Sequence, residues 1–422
     1  MKTKFIKTVQ FLENLQIMPK TMPGLQKIKK ALEQTEWYSK INPESVIVVA
    51  GTNGKGSTCA TLEALLLDAG QKVGFYSSPH LVSTNERIRM NGENISEENF
   101  VKVFEECESL IRSCDLSHFE ALTLMAGHFY FSEKWNQKVD YVIFEVGLGG
   151  TFDATNAFPH RYSVITPLGL DHASILGNTL AEIAPNKFGI VHENNLVVFS
   201  QLPIELNDLK NSVLKNTSSQ GFEVPPADLD IQKNAIEPKY ILKTKWGHAE
   251  LSLKGRRAAE NAMTALSTFA NLGFDPSAHL KALNQVVWPG RMQKIDWPGS
   301  GCPVYLSGDH NPQGVRSLLE ILKDFSWDHI HVIAGIGVDK DADEMLGELT
   351  ELKNAKLYLT VTPFKGRTLN QYPKSYLDLA VLKKENPIEI LNDVAQSASG
   401  GDLIIVTGSL YLVGEVLKFV NR

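Results

Sequence analysis

The stretch GTNGKGS at residues 51–57 has the composition of a phosphate cradle. Glycines let backbone N–H groups turn inward, and the start of a following helix favours an anion. Lys55 adds a positive charge and Ser57 a hydroxyl. The spacing differs from GxxxxGK[ST], because Gly56 separates Lys55 from Ser57. The loop 51–57, with Lys55 and Ser57, is therefore the candidate phosphate site. Glu145 ends an apolar run in FEVGLGG, Ser78–Pro79–His80 follow another, and Asp171–His172 follow a third in LGLDHASILG. Each of these residues alone has an ordinary reading as a loop or capping residue. Together, Ser78, Glu145 and His172 form a set of oxygen donors and one imidazole, which suits a hard divalent ion beside phosphates; with ATP that ion is magnesium. Lys187, in IAPNKFGI, falls on a helical pattern, and nothing in that segment alone separates it from a solvated helix lysine.

These residues need a frame. Apolar runs at 45–50, 72–76, 141–146, 162–166 and 196–199 read as strands. Helical spacing occupies 58–67, 119–135, 180–190 and 257–272. Strands alternating with helices predict a mainly parallel sheet covered on both faces, with ligands at the C-terminal strand ends. Residues 240–245 and 249–253 alternate and predict antiparallel strands within a less regular stretch, 201–253. Residues 288–301 hold WPGR and DWPGSGCP, and their Pro and Gly density predicts a linker. The strand pattern then restarts at 304–306, 329–334, 356–361 and 403–406. The expectation is an α/β protein of two domains, 1–295 and 296–422, the second smaller.

The totals agree with that class. A chain of 422 residues is too long for one core. Apolar residues make up 43% and charged residues 21%, the balance of a globular protein. A formal charge of −6 offers no basic excess to track a nucleic acid backbone. The four cysteines, Cys59, Cys107, Cys114 and Cys302, form no CxxC pair, which argues against a zinc knuckle or disulfide framework. The first twenty residues lack the apolar core of a secretory signal, and no apolar stretch is long enough to span a membrane. A soluble, cytoplasmic, monomeric protein with no membrane or nucleic acid partner is expected.

The motifs GTNGKGS, SSPHL, EVGLGG-x-x-DATN, LDH, WPGR, HNP, DKD and TGSLYLVGEV occur in one order. As an ordered set they resemble folylpolyglutamate synthase and dihydrofolate synthase, within the Mur ligase superfamily, over residues 24–415. The resemblance implies an N-terminal P-loop ATPase domain, a smaller C-terminal Rossmann-like domain and an active site between them. It implies ATP contacts at Gly54, Lys55, Gly56, Ser57, Asn261 and Arg291, and magnesium at Ser78, Glu145 and His172. Lys187 matches a lysine that the family carbamylates; a carboxylate-bearing lysine would place a second magnesium ion that an ammonium would repel. The pteroate side falls on Phe119, Glu120, Ala121, Leu122 and Thr123, and on Phe152, Asp153 and Ala154. Pro23, Gly24 and Leu25 match a loop that folds over the substrate, and His310 matches a residue placed to orient phosphates or amine. For Phe119 and Leu122, plain helix core is the competing reading.

Several positions depart from the family pattern. Ser307 stands where an aspartate is usual, and Asp309 where an alanine is usual, so Asp309 is a candidate nucleotide contact. Arg257–Ala258 replaces a frequent HQ. Thr151 replaces an arginine after the glycine pair, and Asn186 replaces an acid beside Lys187. The reaction implied joins L-glutamate to dihydropteroate, to tetrahydrofolate, or to both. ATP would convert the acceptor carboxylate to an acyl phosphate, which the glutamate amine attacks. Two other readings are a nucleotide-binding homologue that no longer catalyses and a Mur-type ligase for another acid.

Overall fold

The apolar runs of the first half form eight strands: β1 (Val46–Ala50), β2 (Val73–Tyr76), β3 (Ile88–Met90), β4 (Glu93–Asn94), β5 (Tyr141–Glu145), β6 (Tyr162–Ile165), β7 (Leu196–Phe199) and β8 (Gln220–Glu223). Every residue of β1 and β2 is buried, as befits strands covered on both faces. The computed structural model describes residues 2–16, 24–135, 138–169, 176–233 and 236–420. It divides into two units. The first comprises Met1–Ala227, Thr244–Gly247 and Glu260–Val286; the second comprises Asp228–Lys243, His248–Ala259 and Val287–Arg422.

In the first unit the strand order is β4-β3-β2-β5-β1-β6-β7-β8. From β2 to β8 all neighbours run parallel, while β3 and β4 add an antiparallel edge. Register aligns the C-terminal ends: Tyr76 faces Phe144, Val49 faces Glu145 and Ala50 faces Ile165. Whatever follows β2, β5, β1 and β6 therefore emerges along one edge, which is where such sheets bind ligands. The helix Lys55–Asp68 packs on β1, β2 and β5. It starts three residues before the expected position, because Gly54 enters it at φ +83. The helix His118–Phe131 is fixed at its start by a capping box between Ser117 and Glu120. Thr179 and Glu182 do the same for Leu180–Phe188.

The second unit carries a six-stranded sheet, β12-β13-β17-β14-β15-β16, formed by Gln293–Ile295, Val304–Leu306, Leu403–Thr407, Ile330–Ala334, Ala355–Leu359 and Leu382–Lys383. All pairs are parallel except β12 with β13. The stretch expected to be a linker thus contains a strand, β12; its Pro and Gly residues bracket a short extended run. A three-stranded sheet, β11-β10-β9, is built from Gly247–Leu251, Lys239–Thr244 and Asp228–Gln232. Of these, β9 was not legible from alternation. No helix among the described residues is long and apolar enough to cross a membrane.

Asp402 ties the second sheet together at its N-terminal edge. Its carboxylate accepts from the backbone amides of Ser399 (2.8 Å) and His329 (3.0 Å), and meets the imidazoles of His331 (3.3 Å) and His329 (3.1 Å). Burial acts to raise its pKa, but the hydrogen bonds outweigh burial and hold the carboxyl well below the usual range. A depressed folded-state pKa contributes stability above the unfolded value, and that stability is lost as pH falls. His331, pushed down mainly by burial, acts in the same direction, because it must gain its proton on unfolding. The unfolding free energy is thus expected to fall with pH below about 6, most steeply below about 4. Asp402→Asn should be about 1–3 kcal/mol less stable at pH 7 and show a shallower acid slope; denaturant titrations at several pH values check both.

Candidate functional site

The phosphate loop is held by the segment that follows β6. Thr52 N and Asn53 N donate to Pro167 O at 3.1 and 3.2 Å. Thr166 Oγ1 donates to Asn53 O at 2.8 Å, and Thr52 Oγ1 donates to Gly169 O at 3.0 Å. Gly51 approaches so closely that a Cβ there would fall 1.9 Å from Thr166 Oγ1. At Gly54 a Cβ would fall 2.2 Å from Asn261 Oδ1, so Asn261 lies directly over the loop.

Two lysines converge beneath it. Lys55 Nζ donates to Gly51 O at 3.0 Å and to Thr52 O at 3.3 Å, while Lys187 Nζ donates to the same Gly51 O at 2.8 Å. Lys187 is only 3% exposed. Two cationic side chains on one carbonyl repel each other in a partly dry setting, and an anion placed between them and the loop amides would relieve that repulsion. Lys187 therefore belongs to the phosphate-loop cluster, which its own segment did not reveal.

Glu145, at the end of β5, is buried, and its Oε2 accepts from Ser78 N at 3.1 Å. Cys59 lies within the electrostatic reach of both Glu145 and Lys55. Burial pushes its thiol up most strongly, Glu145 adds to that and Lys55 subtracts. The structure thus brings Ser78, Glu145, Lys55 and Lys187 to one strand edge. His172, with Asp171, lies outside the described residues. Among the described residues no group of three His, Cys, Asp or Glu side chains could hold a metal. The donors that are described, a carboxylate with a serine beside it, are hard oxygen ligands and fit magnesium.

The glycine loop after β5 explains two of the departures. Gly150 sits where a Cβ would meet Asn186 O at 2.7 Å and Lys187 O at 2.9 Å. Thr151 donates to Asn186 O from its backbone at 2.8 Å and from Oγ1 at 2.9 Å. Thr151 and Asn186 are therefore neighbours, and Thr151 caps the end of the lysine-bearing helix.

The expected pteroate residues divide. Phe119 is half-buried, with its ring 5.8 Å from that of Tyr76 and against Gly147. Phe152 is exposed. Leu25 and Gly24 are partly exposed at the start of the helix Gln26–Leu32; Pro23 lies outside the described residues. Ala121, Leu122 and Thr123 have no exposed surface and sit in the core of their helix's packing. Glu120 Oε2 accepts from Ser117 N at 2.9 Å and Ser117 Oγ at 2.7 Å, making it the acid of the capping box. Asp153 is buried beside Ala154, and its two oxygens accept from Gly147 N, Leu148 N, Thr155 N and Thr155 Oγ1. Burial raises its pKa against those hydrogen bonds, and the carboxylate braces the glycine loop.

In the second unit Arg291, Asp309 and Ser307 form one group. Arg291 Nη1 lies 3.8 Å from Asp309 Oδ1, and Ser307 Oγ donates to Asp309 Oδ2 at 2.6 Å. The serine and aspartate that depart from the family pattern contact each other. His310 faces Gly308 O through Nδ1 at 2.9 Å. Tyr76, Glu86, Arg87 and Thr166 were not singled out by sequence. The signal available for Glu86 was S-x-x-E at 83–86, a capping box.

Comparison with known proteins agrees with this geometry. Residues 49–269 match the Mur ligase middle domain, and residues 290–410 match the Mur ligase glutamate ligase domain. The chain is 30% identical to the dihydrofolate synthase/folylpolyglutamate synthase of Bacillus subtilis, over 94% of each chain. The folylpolyglutamate synthase of Mycobacterium tuberculosis complexed with ADP superimposes with a TM-score of 0.82 at 25% identity, covering 100% of this chain and 99% of that one. The bifunctional folylpolyglutamate synthase/dihydrofolate synthase of Yersinia pestis, complexed with AMPPNP and a Mn ion, gives 0.81 at 27% identity, covering 99% and 98%. With its phosphate loop, paired lysines and strand-end carboxylate, the chain belongs to the dihydrofolate synthase/folylpolyglutamate synthase family of the Mur ligase superfamily, ATP-dependent ligases that form carbon–nitrogen bonds.

Proposed function

We propose that this chain joins L-glutamate to the carboxylate of a pteroyl substrate, dihydropteroate or tetrahydrofolate, with ATP as the activating reagent. The observation that carries the reading is the meeting of Lys55 and Lys187 on Gly51 O, on the same strand edge as Ser78 and Glu145. A carboxylate is a poor acyl donor because oxide is a poor leaving group. Transfer of the γ-phosphoryl group to it gives an acyl phosphate; the neutral amine of glutamate then attacks, and phosphate leaves.

Each residue has a share in that sequence. The loop amides and Lys55 hold and neutralise the phosphates, in positions fixed before the reaction. Asn261, over Gly54, closes the nucleotide side. Ser78 and Glu145, with His172, would hold magnesium, which when bound offsets charge on the phosphate oxygens. Phe119 and Phe152 give the pteroyl rings apolar surface, while Gly24 and Leu25, with Pro23, cover them. Arg291, Asp309 and His310 serve the nucleotide and the incoming amine. Lys187 is proposed to react with carbon dioxide and, as a carbamate, to place a second ion.

Phosphate release should require ATP, a pteroyl acid and glutamate together. ATP hydrolysis that is unchanged when either acid is left out would remove this reading. Lys55→Ala should lower kcat/KM by about 10²–10³-fold with the fold intact by circular dichroism. Lys187→Ala should be similarly impaired and regain part of its activity with added short carboxylates. The parent should lose activity in buffer stripped of carbon dioxide, and insensitivity to carbon dioxide would exclude the carbamate.

A further inference from the structure

Arg87 closes the short helix Thr84–Arg87 that follows Ser78–Pro79–His80, and it is 9% exposed. Its Nε donates to His80 Nδ1 at 3.0 Å, and its guanidinium lies beside the Tyr76 hydroxyl. Both partners are neutral acceptors. Among the described residues no carboxylate forms an ion pair with it. The nearest acid in sequence is already committed: Glu86 Oε1 accepts from Val82 N at 2.9 Å and Ser83 N at 2.7 Å, and its Oε2 accepts from Leu81 N at 2.8 Å. Asp153, which acts on Tyr76, is committed to the glycine loop. A largely buried guanidinium whose hydrogen-bond partners are neutral is costly unless an anion completes it.

Its surroundings say which anion. Ser77 N donates to Arg87 O at 3.0 Å, so the Arg87 backbone lies beside Ser77, whose neighbour Ser78 donates through its backbone N to Glu145. On its other side Tyr76 carries Thr123 Oγ1 at 3.3 Å and packs on the Phe119 ring. Arg87 thus joins the strand edge through its backbone at Ser77, with its guanidinium beside the Tyr76 and Phe119 pair. We propose that Arg87 binds a substrate carboxylate, that of the pteroyl acid or that of the incoming glutamate, and so sets the acid in place before phosphoryl transfer. A planar guanidinium suits this role, since it can donate two parallel hydrogen bonds to one carboxylate. The proposal rests on the pteroyl ligase reading above.

The test compares pteroate with its carboxamide by binding titration without ATP, in the parent, Arg87→Ala and Arg87→Gln, with KM for glutamate measured alongside. Arg87→Gln keeps a donor for His80, so it reports even where the alanine variant folds poorly. The parent should prefer pteroate over the carboxamide by about 10–100-fold. In the variants that preference should collapse while carboxamide affinity stays within about twofold; this result assigns the pteroyl carboxylate. A preference that survives, with KM for glutamate raised about tenfold or more, assigns the glutamate carboxylate. A preference and a glutamate KM that both survive overturn the proposal, as does an equal weakening of both pteroyl ligands. A parent that binds neither pteroyl compound overturns the ligase reading itself, and the proposal with it.

Discussion

The Gly51 carbonyl accepts hydrogen bonds from two lysines, and much of the first unit serves to keep that arrangement in place. Like charges drawn to one oxygen push on the loop that carries it, so the loop has to be anchored from elsewhere. Thr166, Pro167 and Gly169 provide the anchor from the neighbouring strand's exit, and the parallel register of β1 with β6 puts them within reach. The same register places Glu145 one strand away on the other side. Sheet topology, lysine placement and the carboxylate are therefore one construction, and an anion with a counter-ion is the ligand that it is charged to receive.

Much of this was legible in the sequence, because the relevant signals are local. β1 is apolar at every position, and the glycines, lysine and serine that follow it need only a strand before and a helix after. Glu145 was found for the same reason, by its place at a strand end. What could not be read depends on contacts between distant segments. Lys187 gains its meaning from contacts such as that with Gly51, which is 136 residues away along the chain. Leu122 and Thr123 sit in a helix that is apolar almost all round, so periodicity could not separate a core face from a ligand face. Glu120 carries the charge of a ligand residue but the position of a cap, and the cap took it. β9 and β12 are short edge strands whose pairing partners, not their own patterns, make them strands.

Four of the departures from the family pattern occur in two touching pairs. Thr151 meets the end of the helix at Asn186, and Ser307 donates to Asp309. At the second pair a change at one position is matched by chemistry at the other: a carboxylate displaced by two residues is held by the serine left behind. Neither pair leaves a buried charge without company, which is the condition under which such exchanges are tolerated.

The chain does not complete one unit before starting the next. It leaves the first unit at Asp228, returns for Thr244–Gly247, leaves again at His248, and comes back for Glu260–Val286 before the final stretch. The helix Arg256–Asn271 is divided between the two. During synthesis the eight-stranded sheet can assemble once Glu223 has emerged, yet the second unit must wait for nearly the last residue, with its three-stranded sheet already made. A single cut, by protease or by gene truncation, would therefore release no clean half: each fragment would carry a piece whose packing partners lie in the other.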